Sequence, residues 1–94
     1  MERINTTAIG VPVVITQHFQ KRWEQRIGGR IFLPLAEIAR ELRDMNTGTY
    51  RVLLERSDAW AIVERDGTEL RFLTVVNAPY SGRTTPPVNL KRRT

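Results

Sequence analysis

Residues 11 to 29, "VPVVITQHFQKRWEQRIGG", change their pattern midway, and that change decides the fold. The first five are short, apolar and β-branched, which reads as a strand. Pro12 has no N–H to give a neighbouring strand, so a place at the sheet edge is expected. After it the period lengthens. Phe19, Trp23 and Ile27 share one face of a helix running from Thr16 to about Ile27. Thr16 is a good N-cap, and Gly28 and Gly29 stop the helix.

Downstream, "PLAEIARELRDM" (34–45) is a second helix with Pro34 in its first turn. Leu35, Ile38, Leu42 and Met45 form its buried stripe, while Glu37, Arg40, Glu41 and Asp44 face water. Three strands are expected at 49–56, 60–65 and 69–77, the last two joined at Arg65-Asp66-Gly67. A two-residue Asp66-Gly67 turn would set Glu64 against Glu69, a like-charge pair. A three-residue loop avoids that and places Ile62 opposite Leu70 and Trp60 opposite Phe72 on the core face. Upstream, residues 1–10 are polar and read as a loose lead-in. Residues 78–94, "APYSGRTTPPVNLKRRT", read as an extended, proline-rich basic tail. The expected fold over 11–77 is α+β. An N-terminal edge strand precedes two helices, packed on one face of an antiparallel sheet that ends in a three-stranded meander.

The 94 residues suffice for one small domain, and the 40% apolar and 27% charged fractions suit a soluble globule. No apolar run reaches the about 18 residues of a membrane span, and no secretory leader pattern is present, so a cytoplasmic protein is expected. With no cysteine and a single histidine there is neither a disulfide framework nor a recognisable metal set. Phosphate-binding glycine motifs do not occur, so no cofactor is implied. Fifteen basic residues against ten acidic ones give a net charge of +5, and thirteen of the fifteen are arginine. Arginine binds phosphate through paired hydrogen bonds and stacks on bases, so the expected partner is a polyanion.

The only histidine opens the first helix. At about 100° per residue, Arg22 lies about 40° and Arg26 about 80° from His18, so the three form a ridge between the apolar stripe and water. Metal-free RNA cleavage needs a base, an acid and cations around the phosphorus. Histidine suits proton transfer and arginine suits the developing charge. One histidine cannot be both base and acid in one step, and Tyr50, Tyr80 and Glu64 are candidates for the second role. On the strands, Arg71 and Arg51, with Tyr50 and Tyr80, are candidate nucleic-acid contacts. The plainer alternatives are that His18 is a solvated helix-start residue, that Trp23 is core, and that Arg71 pairs with a glutamate.

A strand, a helix carrying His18-x-x-x-Arg22-x-x-x-Arg26, a second helix and a three-stranded meander resemble the RelE/BrnT-like class of the barnase-like ribonuclease toxins. The resemblance covers residues 11–77. It implies a metal-independent endoribonuclease paired with an antitoxin, with His18, Arg22 and Arg26 on the helix pattern and Arg71 as the basic strand residue. The chain departs from the class in having no second histidine and few lysines. The rival reading is a non-enzymatic phage or mobile-element protein that binds a host protein through a strand edge or its basic tail.

Overall fold

The computed structural model describes residues 2–54, 59–77 and 88–90. Among them, the elements in chain order are β1 (Ile4–Ala8), β2 (Val11–Ile15), α1 (Gln17–Arg26), α2 (Leu35–Leu42), β3 (Gly48–Leu53), β4 (Ala59–Asp66), β5 (Glu69–Asn77) and β6 (Val88–Leu90). The sheet runs β1-β2-β5-β4-β3-β6. Pairing is antiparallel through the meander β3–β5 and between β1 and β2, but β2 joins β5 and β6 joins β3 in parallel. The mixed sheet follows from the connection. β2 leads through both helices to β3, and such a helical crossover returns the chain to start another strand in the same direction.

Both helices pack on one face of the sheet, as the α+β reading requires. Phe19 of α1 meets Phe72 of β5 edge-on at 5.4 Å between ring centroids, and Trp23 lies 6.2 Å from Phe19. Ile38, Ala39 and Leu42 of α2 share this core with Val13, Val52, Val63, Leu70 and Phe72. Glu37, Arg40, Glu41 and Asp44 are exposed, and Leu35 and Met45 are half-buried, so the second helix presents the stripe its periodicity indicated. Its C-terminus is capped from the sheet: Arg65 Nη2 donates to the carbonyl of Arg43 at 2.9 Å, placing a cation where helix carbonyls lack partners.

The lead-in is not loose throughout. Residues 4–8 form β1, the edge strand at the N-terminus, and "VPVVI" lies one strand further in. Pro12 is tolerated there because of where β5 begins. Thr16 N–H donates to Phe72 O at 3.2 Å, and strand alternation turns the Val14 and Pro12 amide positions the same way. The ladder to β5 starts only at Val13, opposite Leu70, so no β5 carbonyl waits for the donor that Pro12 lacks. Ile9 and Gly10, with φ of 46° and 80°, close the β1–β2 hairpin as the left-handed pair of a type I′ turn.

The β4–β5 register differs from expectation. Asp66 opposes Glu69, Glu64 opposes Arg71 and Val63 opposes Phe72, around a two-residue Gly67-Thr68 turn with Gly67 at φ 63°. Beyond Val63 the register slips, so that Ile62 opposes Thr74. The helix-facing residues are therefore Ala61, Val63, Leu70 and Phe72, and Trp60 and Ile62 stand on the opposite face. A like-charge pair, Asp66 against Glu69, does occur across this hairpin. Arg71 lies within ion-pair reach of both carboxylates and offsets their repulsion. Of the tail, only 88–90 are among the described residues; the expectation for the rest of 78–94 falls outside them.

Candidate functional site

α1 starts where β2 stops, and Thr16 makes the junction. Its hydroxyl accepts from Phe19 N–H at 3.1 Å and donates to Phe72 O at 2.8 Å, capping the helix while tying it to β5. Gln20 is also buried, its amide donating to the carbonyl of Glu2 at 2.6 Å, which anchors the segment before β1 against the helix. With Phe19, Gln20 and Trp23 turned inward, His18, Lys21, Gln25 and Arg26 are exposed and Arg22 is half-buried along the outer ridge.

The ridge is internally connected. Arg22 Nε donates to His18 Nε2 at 3.4 Å and its Nη1 donates to Gln25 Oε1 at 3.1 Å. Arg26 lies one turn on, in the last turn of α1. No carboxylate among the described residues is within salt-bridge distance of Arg3, Lys21, Arg22 or Arg26. Beside His18 opens a shallow cleft of about 610 Å³ lined by Glu2, Arg3, Asn5, Thr16, Gln17 and His18. Glu2 and Arg3 were passed over in the sequence because the lead-in carried no periodic signal. The Gln20–Glu2 contact is what brings them here.

The strand candidates do not join this ridge. Phe72 and Leu70 face the helices, so Arg71 between them faces the other side of the sheet, where Arg51 and Trp60 also stand. Arg71 is enclosed by acids: 2.7 Å from Glu64, 2.7 Å from Glu69 and 3.7 Å from Asp66. The hydrogen bonding it donates to Glu69 raises its pKa above the ordinary guanidinium value, with the three carboxylate charges adding to the effect, so Arg71 stays charged wherever the protein is folded. The expected pairing of Arg71 with a glutamate is realised, and a phosphate would have to displace three carboxylates to reach it. Arg51 lies over the Trp60 ring, 4.8 Å from its centroid, a cation–π contact.

Of the three candidates for the second proton-transfer role, two are placed away from His18. Tyr50 is buried on the helix face of β3, its hydroxyl donating to the Asn46 carbonyl, and is a core residue without a nucleic-acid-facing surface. Glu64 is held by Arg71 on the far face. Tyr80 lies outside the described residues. Trp23 is 6% exposed and belongs to the core. Among the described residues no group of three acidic or histidine side chains is disposed to hold a metal ion, and no helix is long and apolar enough to cross a membrane.

Comparison with protein-family models, with curated proteins and with solved structures finds no match in any of the three.

Proposed function

We propose that this chain is a cytoplasmic RNA-binding protein of the toxin-like kind, gripping phosphates along α1 and cleaving RNA without a metal beside His18. The observation that carries the reading is the contrast in carboxylate pairing. The α1 cations have no acidic partner among the described residues, whereas Arg71 has three. Unpaired arginines around an exposed imidazole supply what a phosphodiester needs: hydrogen-bonding cations for the charge and a group to move a proton. In the step proposed, the substrate's 2′-oxygen attacks phosphorus as its proton passes to a base. The 5′-oxygen leaves with a proton from an acid, giving a cyclic phosphate. His18 takes one of these roles, and Glu2, lining the same cleft, is the titratable group best placed for the other.

The test is cleavage and binding of a single-stranded RNA by the full chain with chelator present, comparing wild type with His18→Ala and Arg22→Ala. Cleavage that disappears in His18→Ala, with binding and melting unchanged, supports the enzyme. Intact RNA with binding that weakens steeply in salt leaves a non-catalytic RNA binder. Absence of both sinks the proposal and favours the rival, a protein that binds an antitoxin or host protein. Phe32, an aromatic residue 83% exposed between the helices, is the surface feature that favours such contacts.

A further inference from the structure

β1 ends the sheet with a row of free backbone groups. A two-residue turn closes on a hydrogen-bonded pair, here Ala8 with Val11. Alternation then makes Thr6–Val13 and Ile4–Ile15 the other bonded pairs and points the N–H and C=O of Asn5 and Thr7 away from β2. None of the described residues takes up these four groups, and Ile4 through Thr7 are exposed. Natural edges are guarded by charge, proline or a bulge. β1, with sequence "INTTA", carries none of them, in a chain with a net charge of +5.

We infer that the occupant of this edge is the β1 strand of a second copy of the chain, paired antiparallel about a two-fold axis at Thr6. The sequence is complementary to itself in that register. Asn5 opposes the partner's Thr7, and Thr7 the partner's Asn5, so every outward N–H and C=O finds its counterpart. Thr6 faces its own copy as a non-bonded pair, where side chains approach closest and threonines pair well. Ile4, 42% exposed in the single chain, comes opposite the partner's Ala8 on the helix face. Arg3 meets the turn at Ile9, so no like charges are brought together. Shifting the register by two residues in either direction loses paired positions and leaves Ile4 without an apolar neighbour. The product is a sheet continuous across two copies, with the helices of both on the same side of it.

Sedimentation equilibrium of the full chain, at the concentrations of an NMR sample, tests this. The wild type is expected to be a dimer whose association holds or strengthens as salt screens the two positive protomers, opposite in sign to polyanion binding. Thr7→Pro removes an outward donor while leaving the β1–β2 bonds intact, and Thr6→Lys sets like charges at the axis. Each is expected to give a folded monomer with unchanged circular dichroism. Mixing Thr6→Lys with Thr6→Glu is expected to restore the dimer as a heterodimer. A monomeric wild type overturns the inference. So does a dimer indifferent to both substitutions, and failure of the charge-swapped mixture to associate overturns the axis at Thr6. None of these outcomes depends on whether the chain binds RNA.

Discussion

Arg22 and Arg71 are the same side chain on two elements packed against each other, and their surroundings are opposite. Arg22 sits on α1 with a histidine and a glutamine as hydrogen-bond partners. Arg71 sits on β5 among Glu64, Glu69 and Asp66. The layer of core between them, where Phe19 meets Phe72, keeps the two on opposite sides of the sheet. In the sequence, helical spacing makes Arg22 a candidate phosphate ligand, while Arg71 is one by its place on a sheet face and by the resemblance, with pairing to a glutamate as its alternative. Strand register surrounds Arg71 with acids, whereas Arg22 on its helix has no carboxylate within ion-pair distance among the described residues. An arginine is therefore informative about function only once its carboxylate neighbours are known.

The largest effect available on this pair comes from the layer between them. Phe19 is fully buried, and Phe19→Ala is expected to cost about 3–5 kcal/mol, enough to unfold a domain of this size in mild urea. It also sets a standard. A ridge variant that melts like Phe19→Ala has lost its fold and says nothing about phosphate. Next comes the tie between helix and strand. Thr16→Val removes the cap on Phe19 N–H and the bond to Phe72 O, and is expected to cost about 1–2 kcal/mol in urea denaturation. In a variant that still folds, RNA binding should persist while cleavage falls, because His18 lies in the turn that Thr16 fixes.

Arg71→Ala is expected to cost about 1 kcal/mol, in keeping with a network about a third exposed and screened by solvent. Most of that cost is the repulsion left between Asp66 and Glu69, so adding Glu69→Gln should recover part of it in a double-mutant cycle. RNA affinity is expected to stay at the wild-type level or rise slightly on removing Glu69. A large loss of affinity in a folded Arg71→Ala protein would erase the distinction between the two arginines.

Much of this architecture was legible from the residues. The strand, capped helix, second helix and meander are local patterns, and the stripe from Leu35 to Met45 states its own burial. What was missed depends on distant partners. β1 has no alternation of apolar and polar residues, since "INTTA" acquires its place from pairing with β2. The like-charge rule misjudged the hairpin because it weighs two residues, and a third, Arg71, reverses the sign. Pro12 looked like an edge marker because nothing local shows that β5 starts beyond its reach. The site divides in the same way. The ridge His18–Arg22–Arg26 is helical arithmetic, whereas Glu2 and Arg3 enter the cleft through the long-range bond from Gln20.

The smallest effect on stability is expected where the proposed effect on function is largest. Among the described residues Arg22 hydrogen-bonds only to His18 and Gln25, so Arg22→Ala should change the unfolding free energy by less than about 0.5 kcal/mol. Its guanidinium nonetheless has no carboxylate partner among the described residues, and each phosphate contact to single-stranded RNA adds about 0.7 to the slope of log affinity against log salt. Titrations of RNA at several salt concentrations should therefore give a slope flatter by about that amount in Arg22→Ala, with a similar decrement for Arg26→Ala. Arg71→Ala should leave the slope alone, since three carboxylates already neutralise that charge. Equal decrements from Arg22 and Arg71 would mean that RNA lies across both faces of the sheet and that the acids around Arg71 yield to it.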